Sequence, residues 1–300
     1  MAVAHLGHAE IRVTDLERSR WFFTEILGLY VTEENDERVY LRAWQDWDHH
    51  TLVLKKSDHA GVEHFGWRVE KPGDLGTYEK RLKEIGIDYR WIEDGEESGQ
   101  GDGIASALPS HPQKYGSRGI APRRFDHVNV LTNDPKAEQE WVTSELGIHH
   151  RYYAEDPEGG RLGSWLSRTN LSHEIAIMNN NNQNGPLLHH VAFFLDSPDQ
   201  VIRAATILAD NGIEIEWGPG QHGTSGAIFL YFFEPSGNRV ELWTGGFLIF
   251  APDWEPIRWT AQVAQLGYEL WGSDMPESYL TYGTESHFSY EPQRSVPASS

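Results

Sequence analysis

Three residues far apart in the chain have the types needed for one piece of chemistry. Glu241 lies in Val240-Glu241-Leu242-Trp243, a carboxylate flanked by apolar neighbours. Burying such a group is costly unless a cation or a donor meets it. His127, in Phe125-Asp126-His127-Val128-Asn129-Val130, and His190, in Leu188-His189-His190-Val191-Ala192-Phe193, sit in strand-like apolar runs. The separations, 63 and 51 residues, are too long for a local motif. They acquire meaning if the fold brings first and last strands round one cavity. Two imidazoles and one carboxylate then occupy one face of a metal and leave three positions open. That suits non-haem Fe(II), which must hold a substrate and O₂ together. A histidine taken singly is more often structural than a ligand, and the chain has 15. His189 would serve as well as His190 by composition; alignment with His64 and His127 selects His190.

The elements that must position these residues are written as repeats, which are sought first. Residues 220–241 read as a glycine-rich loop, a strand, a tight turn and a second strand. Ile228 to Phe233 is β-branched and aromatic, as strand interiors are, and Pro235-Ser236-Gly237-Asn238 is turn chemistry. His8 and His127 each open a strand, followed by a helical pattern that stops 20 residues later at Gly28 and Gly147. His64 and His190 do the same, with Gly86 and Gly212 22 residues on. Glycine is the usual left-handed residue after a helix. Strand-like runs follow, such as 38–43 with 51–54, and 163–167 with 174–178. The chain thus reads as strand–helix–strands four times, with segments one and three alike and two and four alike. A Gly/Pro-rich linker at 116–122 separates the two halves. The expected division is residues 1–118, 119–246 and a tail from 247 to 300 that matches no module. The tail carries Trp254, Trp259 and Trp271 and needs a surface to cover, at the cavity mouth or between subunits; its last residues, 293–300, read as disordered. The first half keeps His8 and His64 but has Tyr115 where the second has Glu241, so it reads as a metal-free scaffold. Asn179 to Asn182 reads as a polar loop.

Composition narrows the function classes. There is no cysteine, which excludes disulfides, thiolate metal sites and cysteine nucleophiles. A net charge of −20 repels nucleic acid and anionic membrane. No stretch has the length or hydropathy of a membrane span, and the N-terminus lacks a signal-like stretch. The expected setting is cytoplasmic.

The stretch from Gly220 to Glu241 carries a long pattern: G-x-H, seven residues, an aliphatic, Tyr, two residues, an acidic residue, P-x-G, three residues, Glu. It resembles that of the type I extradiol ring-cleavage dioxygenases. The runs around His127 and His190 are similar to that family's metal-ligand strands. The resemblance covers essentially the whole chain, is strongest over 125–246 and is closest to the catechol 2,3-dioxygenase branch, which includes enzymes for homoprotocatechuate. It implies an α+β fold of four βαβββ modules in two tandem domains, the vicinal-oxygen-chelate fold. It also implies a homo-oligomer, often a tetramer.

Carried over by motif, the resemblance makes His127, His190 and Glu241 ligands of Fe(II), with Mn(II) accepted by the same set. It makes His173 an acid–base residue near the metal; as an imidazole, it would cost turnover at acid pH by titrating near neutrality. His222 and Tyr231 become hydrogen-bonding partners of the substrate, and Asn129 and Trp165 further pocket residues. Trp217 stands where a basic residue is expected in enzymes holding a carboxylated catechol, which favours an uncharged one. The implied reaction inserts O₂ beside the diol and gives a 2-hydroxymuconic semialdehyde-type product. Carboxylated and bicyclic catechols remain alternatives. So do a glyoxalase-type lyase or isomerase, which lacks the His222 and Tyr231 pair, and a non-enzymatic binder of the same fold.

Overall fold

The computed structural model describes residues 3–92, 98, 118–181 and 185–286. Tyr115, Asn182 and the segment 293–300 lie outside these residues, as do the first two positions of the linker at 116–122. Among the described residues three βαβββ modules are complete. The first is β1 (Val3–Val13), α1 (Leu16–Trp21), β2 (Tyr30–Glu34), β3 (Arg38–Arg42) and β4 (Leu52–Lys56). The second opens with β5 (Gly61–Val69) and α2 (Asp74–Ile85), and the rest of it lies largely outside the described residues. The third is β6 (Arg124–Thr132), α3 (Pro135–Leu146), β7 (His149–Glu155), β8 (Arg161–Ser167) and β9 (Ile175–Asn179). The fourth is β10 (Leu187–Phe194), α4 (Pro198–Asp210), β11 (Ile215–Gln221), β12 (Ile228–Phe233) and β13 (Arg239–Thr244).

Local chemistry sets the helix limits. Asp134 accepts from the Ala137 amide at 3.0 Å and Pro135 opens α3, where a missing N–H costs nothing. Gly147, at φ +68°, ends α3, and Gly86 and Gly212 end their helices at positive φ in the same way. The first helix continues from α1 as a π turn over Phe22–Ile26, which puts Phe22 and Phe23 side by side in the core.

Three strands carried no clear pattern in the sequence. In β2 the charged Glu33 and Glu34 sit at the sheet's edge. In β7 the polar run His149-His150-Arg151 hides the alternation. In β11 Gly220 and Gln221, read as the start of the glycine-rich loop, pair with Phe229 and Ile228. The loop proper is therefore 222–227. Asn180, read as part of a polar loop, is fully buried and bonds the Gly185 carbonyl at 3.0 Å.

One mixed sheet runs through both halves, in the order β14-β7-β8-β9-β6-β10-β15-β5-β1-β4-β3-β2, with β13, β12 and β11 branching from β10. Its outer strand β14 (Ile257–Trp259) and its central β15 (Thr284–Ser286) come from the tail. β15 lies antiparallel to β10 and parallel to β5, so the tail joins the halves. A Cβ on Gly61 would lie 2.0 Å from the Glu285 carbonyl, so only glycine permits this approach. The tail also forms α5 (Ala261–Tyr268) and α6 (Glu277–Thr281). One apolar core draws on both halves, from Phe22 and Leu41 to Val191 and Phe232.

Candidate metal centre

Register brings the chemistry-bearing residues together. Paired residues on neighbouring strands project from the same face of a sheet. One row runs Tyr231, Glu241, Ala192, His127 across β12, β13, β10 and β6. The next runs Tyr152, Trp165, Ala176, Asn129, His190 across β7, β8, β9, β6 and β10. Within each row the position between functional residues is an alanine, so the floor is left open. The remaining walls of the cavity come from His173, just before β9, from His222, Thr224 and Ser225 in the loop after β11, and from Trp243, Gly267, Tyr268 and Tyr279.

At its base His127 Nε2, His190 Nε2 and Glu241 Oε2 form a triangle. The edges are 2.9 Å from His127 to Glu241, 3.1 Å from His190 to Glu241, and 3.2 Å between the imidazoles. All three residues are at most 2% exposed. Among the described residues this is the one group of three such side chains close enough to share an ion. Ligand bonds of about 2.1 Å place neighbouring octahedral ligands ~3.0 Å apart and tetrahedral ones ~3.4 Å apart. The observed edges, 2.9 to 3.2 Å, lie in the range that ligands of one ion require. The donor set fits Fe(II) or Mn(II), because two imidazoles and one carboxylate on one face leave three positions open.

The charge of Glu241 is met here by a proton on His127, the place a bound metal would take. Burial works against ionised Glu241, but His190 and the hydrogen bond from His127 outweigh it and hold the carboxyl well below its ordinary range. Burial lowers His190 to about 4, so near neutral pH its ring is uncharged and has one nitrogen lone pair to offer. Burial also opposes charge on His127, but hydrogen bonds to Asp126 and Glu241 raise it to about 9. His127 Nδ1 donates to Asp126 Oδ2 at 3.1 Å, which turns Nε2 toward the triangle.

Glu241 Oε1 accepts from Tyr231 Oη at 2.7 Å, and His222 Nε2 is 3.0 Å from the same hydroxyl. His222 Nδ1 donates to the Tyr268 carbonyl at 2.5 Å, so in the neutral ring Nε2 is an acceptor. The one Tyr231 proton thus has two acceptors within reach. His173 packs against His127 at 4.1 Å between ring centres, and its Nδ1 lies within hydrogen-bond distance of Tyr152 Oη at 3.0 Å and of Ser172 Oγ at 3.2 Å. Burial and the neighbouring His127 keep His173 neutral well below the ordinary histidine range. The acid-side loss of turnover expected from the sequence consequently moves to lower pH. The side-chain oxygen of Asn129 has no hydrogen-bond partner.

All eight residues singled out in the sequence, His127, His190, Glu241, His173, His222, Tyr231, Asn129 and Trp165, line this one cavity. Trp217 does not; it is 1% exposed and stacks on Tyr231 at 5.7 Å. His8 and His64 meet at 2.9 Å in the first half. Sequence reasoning missed Trp243, Tyr152, Tyr268 and Tyr279. Trp243 is two residues after Glu241 and so on the same face, a signal that was available. Tyr268 and Tyr279 come from the tail, which has no repeat to compare with.

The family described as Glyoxalase/Bleomycin resistance protein/Dioxygenase superfamily matches residues 5–100 and 124–242. The chain is 40% identical to a manganese-dependent 2,3-dihydroxybiphenyl 1,2-dioxygenase of Geobacillus genomosp. 3, over 91% of this chain and 95% of that one. It is 35% identical to a metapyrocatechase of Geobacillus stearothermophilus, over 94% of each. Homoprotocatechuate 2,3-dioxygenase of Brevibacterium fuscum, solved in an anaerobic complex with 3,4-dihydroxyphenylacetate, superposes with a TM-score of 0.83 at 29% identity. That match covers 95% of this chain and 93% of the other.

Proposed function

The chain belongs to the Glyoxalase/Bleomycin resistance protein/Dioxygenase superfamily and, within it, to the extradiol dioxygenases, and we propose that it opens the ring of an uncharged catechol with O₂ at a centre held by His127, His190 and Glu241. The observation that carries this reading is the buried triangle of donor atoms beneath an aromatic-walled cavity. Both oxygen atoms enter the product, a 2-hydroxymuconic semialdehyde. A relative is manganese-dependent, and the donor set accepts Fe(II) as readily as Mn(II).

When bound, the cation would lower the pKa of the diol hydroxyls and hold O₂ beside them. The residues do the rest. His222 Nε2 and Tyr231 Oη meet the substrate oxygen by directed hydrogen bonds. Asn129 and Trp165 bound the ring on the side of the second row. His173, neutral at rest, would take up a proton that the diol releases and return it where an oxygen–oxygen bond breaks, as a general acid–base group. The tail roofs the cavity with Gly267, Tyr268 and Tyr279 and keeps water out.

Two features support an uncharged ring. Among the described residues, no lysine or arginine lines the cavity. Trp217, where a base would meet a carboxylate, is sealed in the core. A bicyclic diol is the second reading, favoured by the substrate in the name of one relative. Initial rates with catechol, 3,4-dihydroxyphenylacetate and 2,3-dihydroxybiphenyl decide between them. The carboxylated ring should be the poorest; a preference for it would overturn the reading of the pocket.

A homo-oligomer, with four subunits, is the proposed assembly. It is supported by exposed apolar side chains on and beside the tail, including Leu248, Phe250, Leu266, Leu270 and Trp271. No helix among the described residues is long and apolar enough to cross a membrane. A cytoplasmic setting is proposed with it.

A further inference from the structure

His189 stands next to a ligand on a strand, where consecutive side chains ordinarily point to opposite faces. Here the register breaks. Leu188 pairs with Val130 and His190 with Asn129, so His189 is the extra residue of a β-bulge. A bulge re-aims side chains, and the two imidazoles meet edge to edge, Nδ1 to Nδ1, at 2.6 Å. The other nitrogen of His189, Nε2, lies 2.6 Å from the main-chain carbonyl of Tyr279 in α6.

These contacts fix where the protons are. A carbonyl only accepts, so His189 Nε2 carries the hydrogen. His189 is fully buried, its main-chain carbonyl accepts from Arg239 Nη1 at 3.1 Å, and no carboxylate among the described residues bonds its ring to balance a second proton. Its Nδ1 then has a lone pair and no proton. The contact at 2.6 Å requires a donor from the other side, which is His190 Nδ1–H. His190 Nε2 is left as a lone pair aimed at Glu241 and His127. The carbonyl is itself held in place. Arg239 is 1% exposed and donates to the carbonyls of Ser278 and Tyr282 on either side of Tyr279, at 3.0 Å each. Glu216 pairs with the same guanidinium at 2.5 and 2.8 Å.

We infer that His189 is a positioning residue through which the Tyr279 carbonyl of the C-terminal tail sets the tautomer of His190 and so prepares its Nε2 for the metal. The inference rests on reading His190 as a ligand. It gives the tail a second task besides roofing the cavity. Asp126 does the corresponding work for His127 with a side-chain oxygen. Neighbouring groups that orient ligands in this way typically change metal affinity 10- to 100-fold when lost.

The test uses the full chain and Mn(II), with affinity read by competition against a chelating dye. Binding to the wild type checks the ligand reading by itself; no binding overturns both. His189→Leu removes the acceptor and is expected to weaken Mn(II) binding by roughly 10- to 100-fold. His189→Asn places an oxygen near the Nδ1 position and is expected to restore most of that affinity. Leucine and asparagine variants that both bind like the wild type would overturn the inference, as would an asparagine variant as weak as leucine. The ¹⁵N imidazole spectrum of the Zn(II)-loaded wild type gives a check that needs no variant to fold. His190 is expected to carry its proton on Nδ1, and a proton on Nε2 would overturn the inference.

Discussion

Replacing His173 by phenylalanine separates chemistry from binding. The phenyl ring would keep the packing that His173 makes on His127, 4.1 Å away, and on Trp243 at 5.2 Å. What disappears is the titratable imidazole and its hydrogen bond with Tyr152 Oη. Loss of a general acid–base group costs on the order of 10²- to 10⁴-fold in rate, or about 2.7–5.5 kcal/mol of barrier at 1.36 kcal/mol per decade. The Tyr152 hydroxyl, 1% exposed, loses a partner, and an unmade buried hydrogen bond costs roughly 1–3 kcal/mol. Ser172 limits this loss, since its side chain also hydrogen-bonds Tyr152. The His173→Phe variant should therefore fold with slightly reduced stability, keep its metal and bind catechol normally without O₂. Its single-turnover rate should fall by two to four decades. Adding Tyr152→Phe should recover the stability and none of the rate. Metal content, anaerobic catechol affinity and stopped-flow turnover are the assays. Normal affinity with normal turnover would refute the role of His173, and loss of metal would show that it is a ligand.

Three further outcomes follow from the geometry. Glu241→Ala and His190→Ala should each abolish metal binding, while His64→Ala should not; elemental analysis of the purified variants checks this, and full occupancy without Glu241 would sink the triangle. Ala192→Leu should fill the space between His127 and Glu241 and remove the metal site while the sheet survives, read by metal content against circular dichroism. The third concerns pH. Burial pushes Asp46 up to about 7 from 3.8, although Thr51 and the amides of Ala43 and Phe125 donate to it. Between these values the folded protein holds a proton that the unfolded chain has released. Its contribution to stability is thus full below pH ~4 and lost as the pH rises through about 7, at most about 4 kcal/mol. Asp46→Asn should flatten denaturant-measured stability between pH 5 and 8, and a slope parallel to the wild type would contradict this.

Much of the site was legible because duplication wrote it twice. His8 and His127 open equivalent strands, and so do His64 and His190; the alignment chose His190 over His189. The registers repeat too: His8 pairs with Gly66 and Glu10 with His64, as His127 does with Ala192 and Asn129 with His190. What was illegible depends on contacts between distant segments. Gly220-Gln221 reads locally as the start of a loop, and pairing with β12 makes it the end of a strand. Tyr268 and Tyr279 come from a tail without a repeat, and their placement follows from β15 lying between β5 and β10. The bulge at His189 leaves no mark in the sequence, because adjacent histidines look alike until the register separates them.

The central claim is that the His127, His190 and Glu241 centre opens a catechol beside its diol. The most direct test is the product formed when the wild-type protein, loaded anaerobically with Fe(II), meets catechol and O₂. A yellow 2-hydroxymuconic semialdehyde should form, one molecule for each O₂ consumed, and none should form from Glu241→Ala. A colourless muconic acid, or oxygen consumed without ring opening, would contradict the claim.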